Sequence, residues 1–204
     1  MSFKRKKPVL ANRFRGLLPI VVDVETTGLS PVTDGLLEIA AVTVQMDEEG
    51  KLTPGDCWFC PIEPFPGARL DPDALAITGI DPFSPLRYAM TEQQALHCIF
   101  TVVKEQLALT NCHRAILVGH NAWFDLAFMQ EAYKRSTLPQ SPFHSFTTID
   151  TASLSAVALG ETVLAKALKR AKIRFDVTKA HSADYDAIKT AELFCYIVNH
   201  YGVQ

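Results

Sequence analysis

A chain of 204 residues, 48% hydrophobic and 21% charged, is long enough for one domain with a substantial core. Its formal net charge of −2 gives no global basic field, and no apolar run reaches the roughly 18 residues of a membrane-crossing helix. The basic start lacks the apolar stretch of a secretory signal, and five scattered cysteines (57, 60, 98, 112 and 195) suit a reducing compartment, so a cytoplasmic location is expected.

Residues 1–16 form a basic arm, expected to be partly disordered. Lys4, Arg5, Lys6, Lys7, Arg13 and Arg15 put six of the 20 basic residues in its first 15 positions. Such an arm reads either as a solvated tail or as a phosphate-binding one. Residues 17–204 read as a single domain. The β-branched run Ile20 to Val24 predicts a buried strand over 19–25. Leu37 to Gln45 is a second strand, turned by Asp47-Glu-Glu-Gly50 into a third that ends near Glu63, where Pro61, Pro64 and Pro66 open a loop. The Cys57-Trp-Phe-Cys60 pair has no second pair at zinc spacing, so its cysteines are expected to pack within that strand.

Residues 72–77 suggest a short helix. Thr91 caps a longer one over 92–109, with apolar positions at 95, 96, 99, 102, 103 and 107. A strand at 115–119 leads into a helix over 123–135, and a last strand at 146–149 leads into a helix over 151–158 capped by Asp150. Helices over 162–171 and 182–199 complete the chain. A hairpin followed by alternating strands and helices makes an α/β domain with a mixed sheet.

Asp23 and Glu25 are two apart on the first strand and therefore point the same way. Two carboxylates together on a buried strand repel and lose hydration, a cost that a bound divalent cation removes. Asp125 follows the strand ending at Gly119, in His120-Asn-Ala-Trp-Phe-Asp125; by itself it is equally an acid favoured by a helix dipole. Asp184 and Asp186 lie two apart on a helix and diverge by roughly 200°, so both cannot readily serve one ion, and the apolar stripe does not choose between them. His181 alone would read as a surface or capping histidine.

Together Asp23-Val-Glu25, His120-Asn121-x-x-Phe124-Asp125 and His181-x-x-x-x-Asp186 resemble the three motifs of the DEDD superfamily of 3′→5′ exonucleases. The histidine is that of the superfamily's histidine form; the tyrosine form would have Tyr where Ser182 stands, and the pattern selects Asp186. Arg13-Phe-Arg-Gly16, Leu36-Leu-Glu-Ile-Ala-Ala41, Ile62-Glu-Pro-Phe65, Gly79-Ile80, Arg114-Ala-Ile-Leu-Val-Gly-His120, Pro142-Phe-His144 and Thr190-Ala-Glu-Leu-Phe194 narrow the resemblance to the ribonuclease T family over nearly the whole chain.

That resemblance implies a ribonuclease H-like exonuclease fold, α/β, with a mixed central sheet of about five strands flanked by helices. It implies a metal-dependent 3′→5′ exoribonuclease that trims transfer and other stable RNAs to nucleoside 5′-monophosphates, with activity on single-stranded DNA. Two Mg²⁺ per site, replaceable by Mn²⁺, are expected on Asp23, Glu25, Asp125 and Asp186, with His181 as general base. A homodimer is expected, with Arg13, Arg15 and Arg114 on RNA phosphates and Phe124 and Phe146 stacked on terminal bases. Leu29 and Ile77 stand where aromatic rings are expected, which predicts weaker discrimination among terminal bases. A DNA proofreading exonuclease is the rival within the superfamily, and the Arg-Phe-Arg-Gly and Pro-Phe-His segments argue against it. A catalytically silent RNA-binding protein is the rival outside it, and the intact acid and histidine set argues against that.

Overall fold

The computed structural model of the protein describes residues 9–202, so Lys4 to Lys7 of the arm lie outside the described residues. In chain order the elements are α1 (Leu10–Arg13), β1 (Leu17–Thr26), β2 (Leu36–Met46), β3 (Leu52–Pro61), α2 (Pro72–Thr78), α3 (Glu92–Thr110), β4 (Arg114–Gly119), α4 (Ala122–Arg135), β5 (Phe143–Asp150), α5 (Thr151–Leu159), α6 (Leu164–Arg170) and α7 (Ala183–Tyr201). Short 3₁₀ turns lie at Pro85–Arg87 and Val177–Lys179. The sheet has five strands in the order β3-β2-β1-β4-β5. The first three strands pair antiparallel, as a hairpin start requires, and β4 and β5 add in parallel after helical crossovers. This is the expected mixed sheet flanked by helices.

Residues 18–22 of β1 and 39–44 of β2 are buried without interruption, so both faces of the sheet are covered. Helix α7 packs across β1, β2 and β3, while α3 and α4 pack on each other and α4 also on β1, β4 and β5. Ala183, Ala187, Ala191, Phe194 and Cys195 of α7 join the main core, which settles which face of that helix turns inward. Among the described residues no single helix is long and apolar enough to cross a membrane.

Differences from the sequence reading have physical causes. Strand β5 begins at Phe143, three residues before the expected start, because the pairing register shifts between Ala115 and Leu117 and the bulge admits the Pro-Phe-His segment into the sheet. Within the arm, Leu10–Arg13 is a helical turn whose Leu10 reaches the core. The predicted caps are present. Thr91 accepts from the Gln94 N–H at 3.3 Å while the Gln94 side chain accepts from the Thr91 N–H at 3.0 Å. Asp150 accepts from the Ala152 N–H at 2.9 Å.

The loop leaving β1 is pinned by a carboxylate that sequence alone did not single out. Asp34 is fully buried and accepts from Arg69 Nε at 2.9 Å and Nη2 at 3.0 Å, the Ser30 N–H at 2.9 Å and the Thr33 hydroxyl at 2.8 Å. Those donors, Arg69 first, hold its carboxyl down at about 2. A buried carboxylate with this many partners fixes the turn that follows Glu25.

Candidate active site

Asp23 and Glu25 alternate along β1 with Val22 and Val24, which are buried, while the two acids are half-buried on the shared opposite face. The β1–β2 register breaks just after Glu25: Glu25 pairs with Glu38, Thr26 with Leu36, and Leu37 is the extra residue. A bulge at this point re-aims the strand end.

Asp125 comes from the first turn of α4 and is buried. Its Oδ1 accepts the Val24 N–H at 3.1 Å, which latches α4 onto β1 between the two strand acids. Gly119 makes this approach possible. A Cβ there would lie 2.9 Å from Asp125 Oδ2 and 3.0 Å from the Ala122 Cα. Asn121 turns the chain from β4 into α4 with a φ of 67°, and its N–H donates to Asp150 Oδ1 at 3.0 Å, tying the end of β5 to the start of α4.

Asp186 projects from the first turn of α7. Its Oδ2 accepts the His181 N–H at 2.9 Å, and its Oδ1 is buried with no hydrogen-bond partner. Asp184 is occupied locally, accepting from the Ser182 hydroxyl at 2.6 Å and the Tyr185 N–H at 2.7 Å. Of the two, Asp186 and not Asp184 lines the cavity that holds Asp23, Glu25 and Asp125. His181 is exposed, just outside the helix, with a φ of 65°.

All five residues line one cavity of about 380 Å³, together with His120, Asn121, Trp123 and Phe124. Ligand atoms of Glu25, His181 and Asp186 lie within 4.8 Å of one another. Burial raises the Asp23 pKa well above the ordinary range, reinforced by Asp125, Glu25 and Asp186. Glu25 rises to about 8, through burial and then the charges of Asp186, Glu38 and Asp125. Asp125 rises to about 7 through burial, opposed by its hydrogen bond from Val24. Asp186 also rises through burial. Crowded oxygen donors whose negative charge lacks a counter-charge, with one carboxylate oxygen orphaned, fit a hard divalent cation.

This electrostatics predicts how stability responds to pH and metal. The folded pKa values of Glu25 and Asp125 lie above their ordinary 4.5 and 3.8. Their contribution is therefore fully present below about 4 and is lost as pH rises through about 7 to 8. The melting temperature of cation-free protein is expected to fall between pH of about 5.5 and 8.5, and Mn²⁺ to raise it more at the higher pH. Calorimetric scans with and without chelator check this; a cation-free melting temperature flat across that range contradicts it.

Two neighbours were not legible as functional. Glu38 faces Glu25 across the strands, and its Oε2 accepts the Ala183 N–H at 3.1 Å. It thereby caps α7, whose N-cap Ser182 makes no side-chain cap. The available signal was an acid inside the apolar run Leu-Leu-Glu-Ile-Ala-Ala. Trp123, at an unassigned position of the second motif, also lines the cavity. His120, a motif position, has both ring nitrogens engaged, Nδ1 with the Thr151 hydroxyl at 3.0 Å and Nε2 with the Thr162 carbonyl at 2.8 Å.

The predicted RNA-contact residues divide. Phe124 lines the acidic cavity. Phe146 does not. It is 79% exposed and shares a second cavity with Arg15, Arg114, His113 and His144, because it belongs to the N-terminal half of β5 rather than to its end. Arg114 donates from Nε to the Phe143 carbonyl at 3.0 Å. Arg13, on α1, lines neither of these two cavities, and nor do Leu29 and Ile77, which are 80% and 62% exposed.

A family model described as exonuclease matches residues 20–194. Ribonuclease T of Photorhabdus laumondii is 54% identical over 201 residues, covering 98% of this chain and 93% of the relative. Ribonuclease T of Cronobacter sakazakii is 55% identical over 201 residues, covering 98% and 90%. Among solved structures, E. coli exonuclease I in complex with a dT13 oligonucleotide superposes with a TM-score of 0.67 at 19% identity, over 90% of this chain. The chain spans only 41% of that protein, and at this identity the likeness speaks to the fold alone. With a family model across most of its length and relatives above half identity from end to end, the chain belongs to the ribonuclease T family of exonucleases.

Proposed function

We propose that the protein is a 3′→5′ exoribonuclease that trims the single-stranded 3′ ends of transfer and other stable RNAs, with activity on single-stranded DNA. The observation that carries this reading is the convergence of Asp23, Glu25, Asp125, Asp186 and His181 on one cavity in a chain of this family. In a hydrolysis of this kind the terminal nucleotide leaves as its 5′-monophosphate and the shortened chain keeps a 3′-hydroxyl.

Two Mg²⁺ ions, replaceable by Mn²⁺, fit the four carboxylates and would supply an acidified water and charge neutralisation at the scissile phosphate. The residues do the rest. His181 takes the proton of the attacking water. Asp186 holds the His181 backbone, so base and ligand move as one unit. Asp125 fixes Val24 and with it the spacing of Asp23 and Glu25. Glu38 fixes the start of α7 and hence Asp186.

Arg15 and Arg114, with Arg13 nearby in sequence, form the RNA-backbone surface. Arg15 and Arg114 lie at the starts of β1 and β4, and the acids at the strand ends. From Leu17 to Asp23 a strand rises roughly 20 Å, at about 3.3 Å per residue. That separation supports a homodimer in which the basic surface of one protomer delivers RNA to the partner's site, and the free cysteines suit the reducing cytoplasm.

Incubation with a transfer RNA bearing extra 3′ residues is expected to release nucleoside 5′-monophosphates only with a divalent cation present. Neutralising Arg15 and Arg114 together should flatten the salt dependence of RNA binding by about 0.7 per lost phosphate contact. Absence of mononucleotide release would overturn the activity, and an unchanged salt slope the basic surface.

A further inference from the structure

The catalytic cavity carries an aromatic ring that the described residues leave open. Trp123 stands in the first turn of α4, two residues before Asp125, and is 66% exposed. An indole left in water forgoes the burial of a large apolar surface, and tryptophan is rarely left so without a partner to meet. The backbone beneath it is firm. Asn121 is tied to Asp150, and Asp125 to Val24.

The other hydrocarbon ring in the cavity is already engaged. Phe124 is half-buried, with its ring 4.8 Å from that of the fully buried Phe128. It meets Trp123 at 5.8 Å and 89°, an edge-to-face contact that braces the indole on one side only. Phe146 belongs to the other cavity, and Leu29 and Ile77 carry no ring.

The charge of the site adds a reason. A pocket of four carboxylates repels a phosphodiester backbone, so grip on the RNA end has to come from the bases as well as from cations. A base has a π face whatever its identity, and stacking on an aromatic side chain needs no hydrogen-bond code.

We propose that Trp123 is the stacking platform for the 3′-terminal bases of the substrate, a specificity-determining residue on the wall of the acidic cavity. This rests on the exoribonuclease reading above. Because overlap grows with ring area, purine ends gain more from the indole than pyrimidine ends.

The test compares wild type, Trp123→Ala and Trp123→Phe on three substrates: oligoribonucleotides ending in adenine, the same ending in uracil, and a base-free phosphodiester, the same oligoribonucleotide with abasic 3′-terminal residues. Trp123→Ala should raise KM on the oligonucleotides by about 5- to 150-fold, the range expected for one lost base stack. The rise should be greater for adenine ends, with Trp123→Phe recovering most of the loss and hydrolysis of the base-free ester unchanged. In a Trp58→Phe background, adding a six-nucleotide RNA in chelator should quench the fluorescence of Trp123. An unchanged KM, an equal loss on the base-free ester, or a Trp123→Ala protein whose loss tracks dissociation to monomers in sedimentation would each overturn the proposal. Quenching by RNA in a wild type that releases no mononucleotide would instead remove the exoribonuclease reading and leave the platform standing.

Discussion

Asp23→Asn is expected to lower turnover by about three orders of magnitude or more while leaving the cation-free protein as stable as wild type, or more so. Asp23 stands at the centre of the cluster, close enough to feel Asp125, Glu25, Asp186 and Glu38. As the proposed cation ligand it would help supply several kcal/mol of charge stabilisation at the phosphate, and each 1.36 kcal/mol is a factor of ten in rate. Without a cation the same charge is only a liability, since it is desolvated among like charges. The amide is isosteric and neutral, so it removes repulsion without leaving a void. Single-turnover cleavage and a calorimetric scan in chelator check both halves. Near-wild-type turnover with Mg²⁺ would sink the metal-site assignment, and a melting temperature several degrees lower would mark Asp23 as a structural residue.

His181 is expected to show the second large effect, and its backbone tells which variants to make. At a φ of 65° alanine is strained by about 1–2 kcal/mol, whereas asparagine visits this region readily. His181→Asn therefore removes the imidazole and keeps the turn. It should lower kcat by about 10²–10⁴-fold, the usual range for a lost general base, with an unchanged melting temperature. His181→Ala should lose as much activity and some stability besides. Both variants keep the N–H that holds Asp186, so Mn²⁺ affinity measured by titration calorimetry should be close to wild type. A large loss of Mn²⁺ affinity in His181→Asn would reassign the residue as a metal ligand.

The architecture was legible because its signals were local and mutually consistent. The β-branched run around Val22 fills the middle of β1, and the turn at Asp47 to Gly50 and the caps Thr91 and Asp150 lie where elements begin and end. The misread start of β5 depended on a register shift opposite Ala115, which is a property of two strands and cannot be seen in one. At the site, the strand acids announced themselves by their cost, and Asp186 became distinguishable from Asp184 only through the motif. Glu38 and Trp123 stayed hidden for different reasons. Glu38 acts on α7 across 145 positions of sequence, a reach that no spacing rule covers. Trp123 carries no motif assignment, and only its exposure sets it apart. Phe146 lies in the cavity of Arg15 and Arg114 rather than beside the acids, because adjacency to a strand does not say which end of the sheet a side chain serves.

The way His181 is held has a bearing on how such proteins diverge. The four acids are embedded in strand and helix packing and shift one another's proton affinity, so losing any of them disturbs the rest. His181 stands outside α7, exposed, with its contribution to the fold made by a backbone N–H that any residue but proline supplies. Replacement of this single side chain by one at ease in a left-handed turn is the least disruptive route from a nuclease to a cation-loaded protein that grips RNA ends without cutting them. Paralogues that guard 3′ termini rather than remove them would be expected to begin there, with the acids still intact.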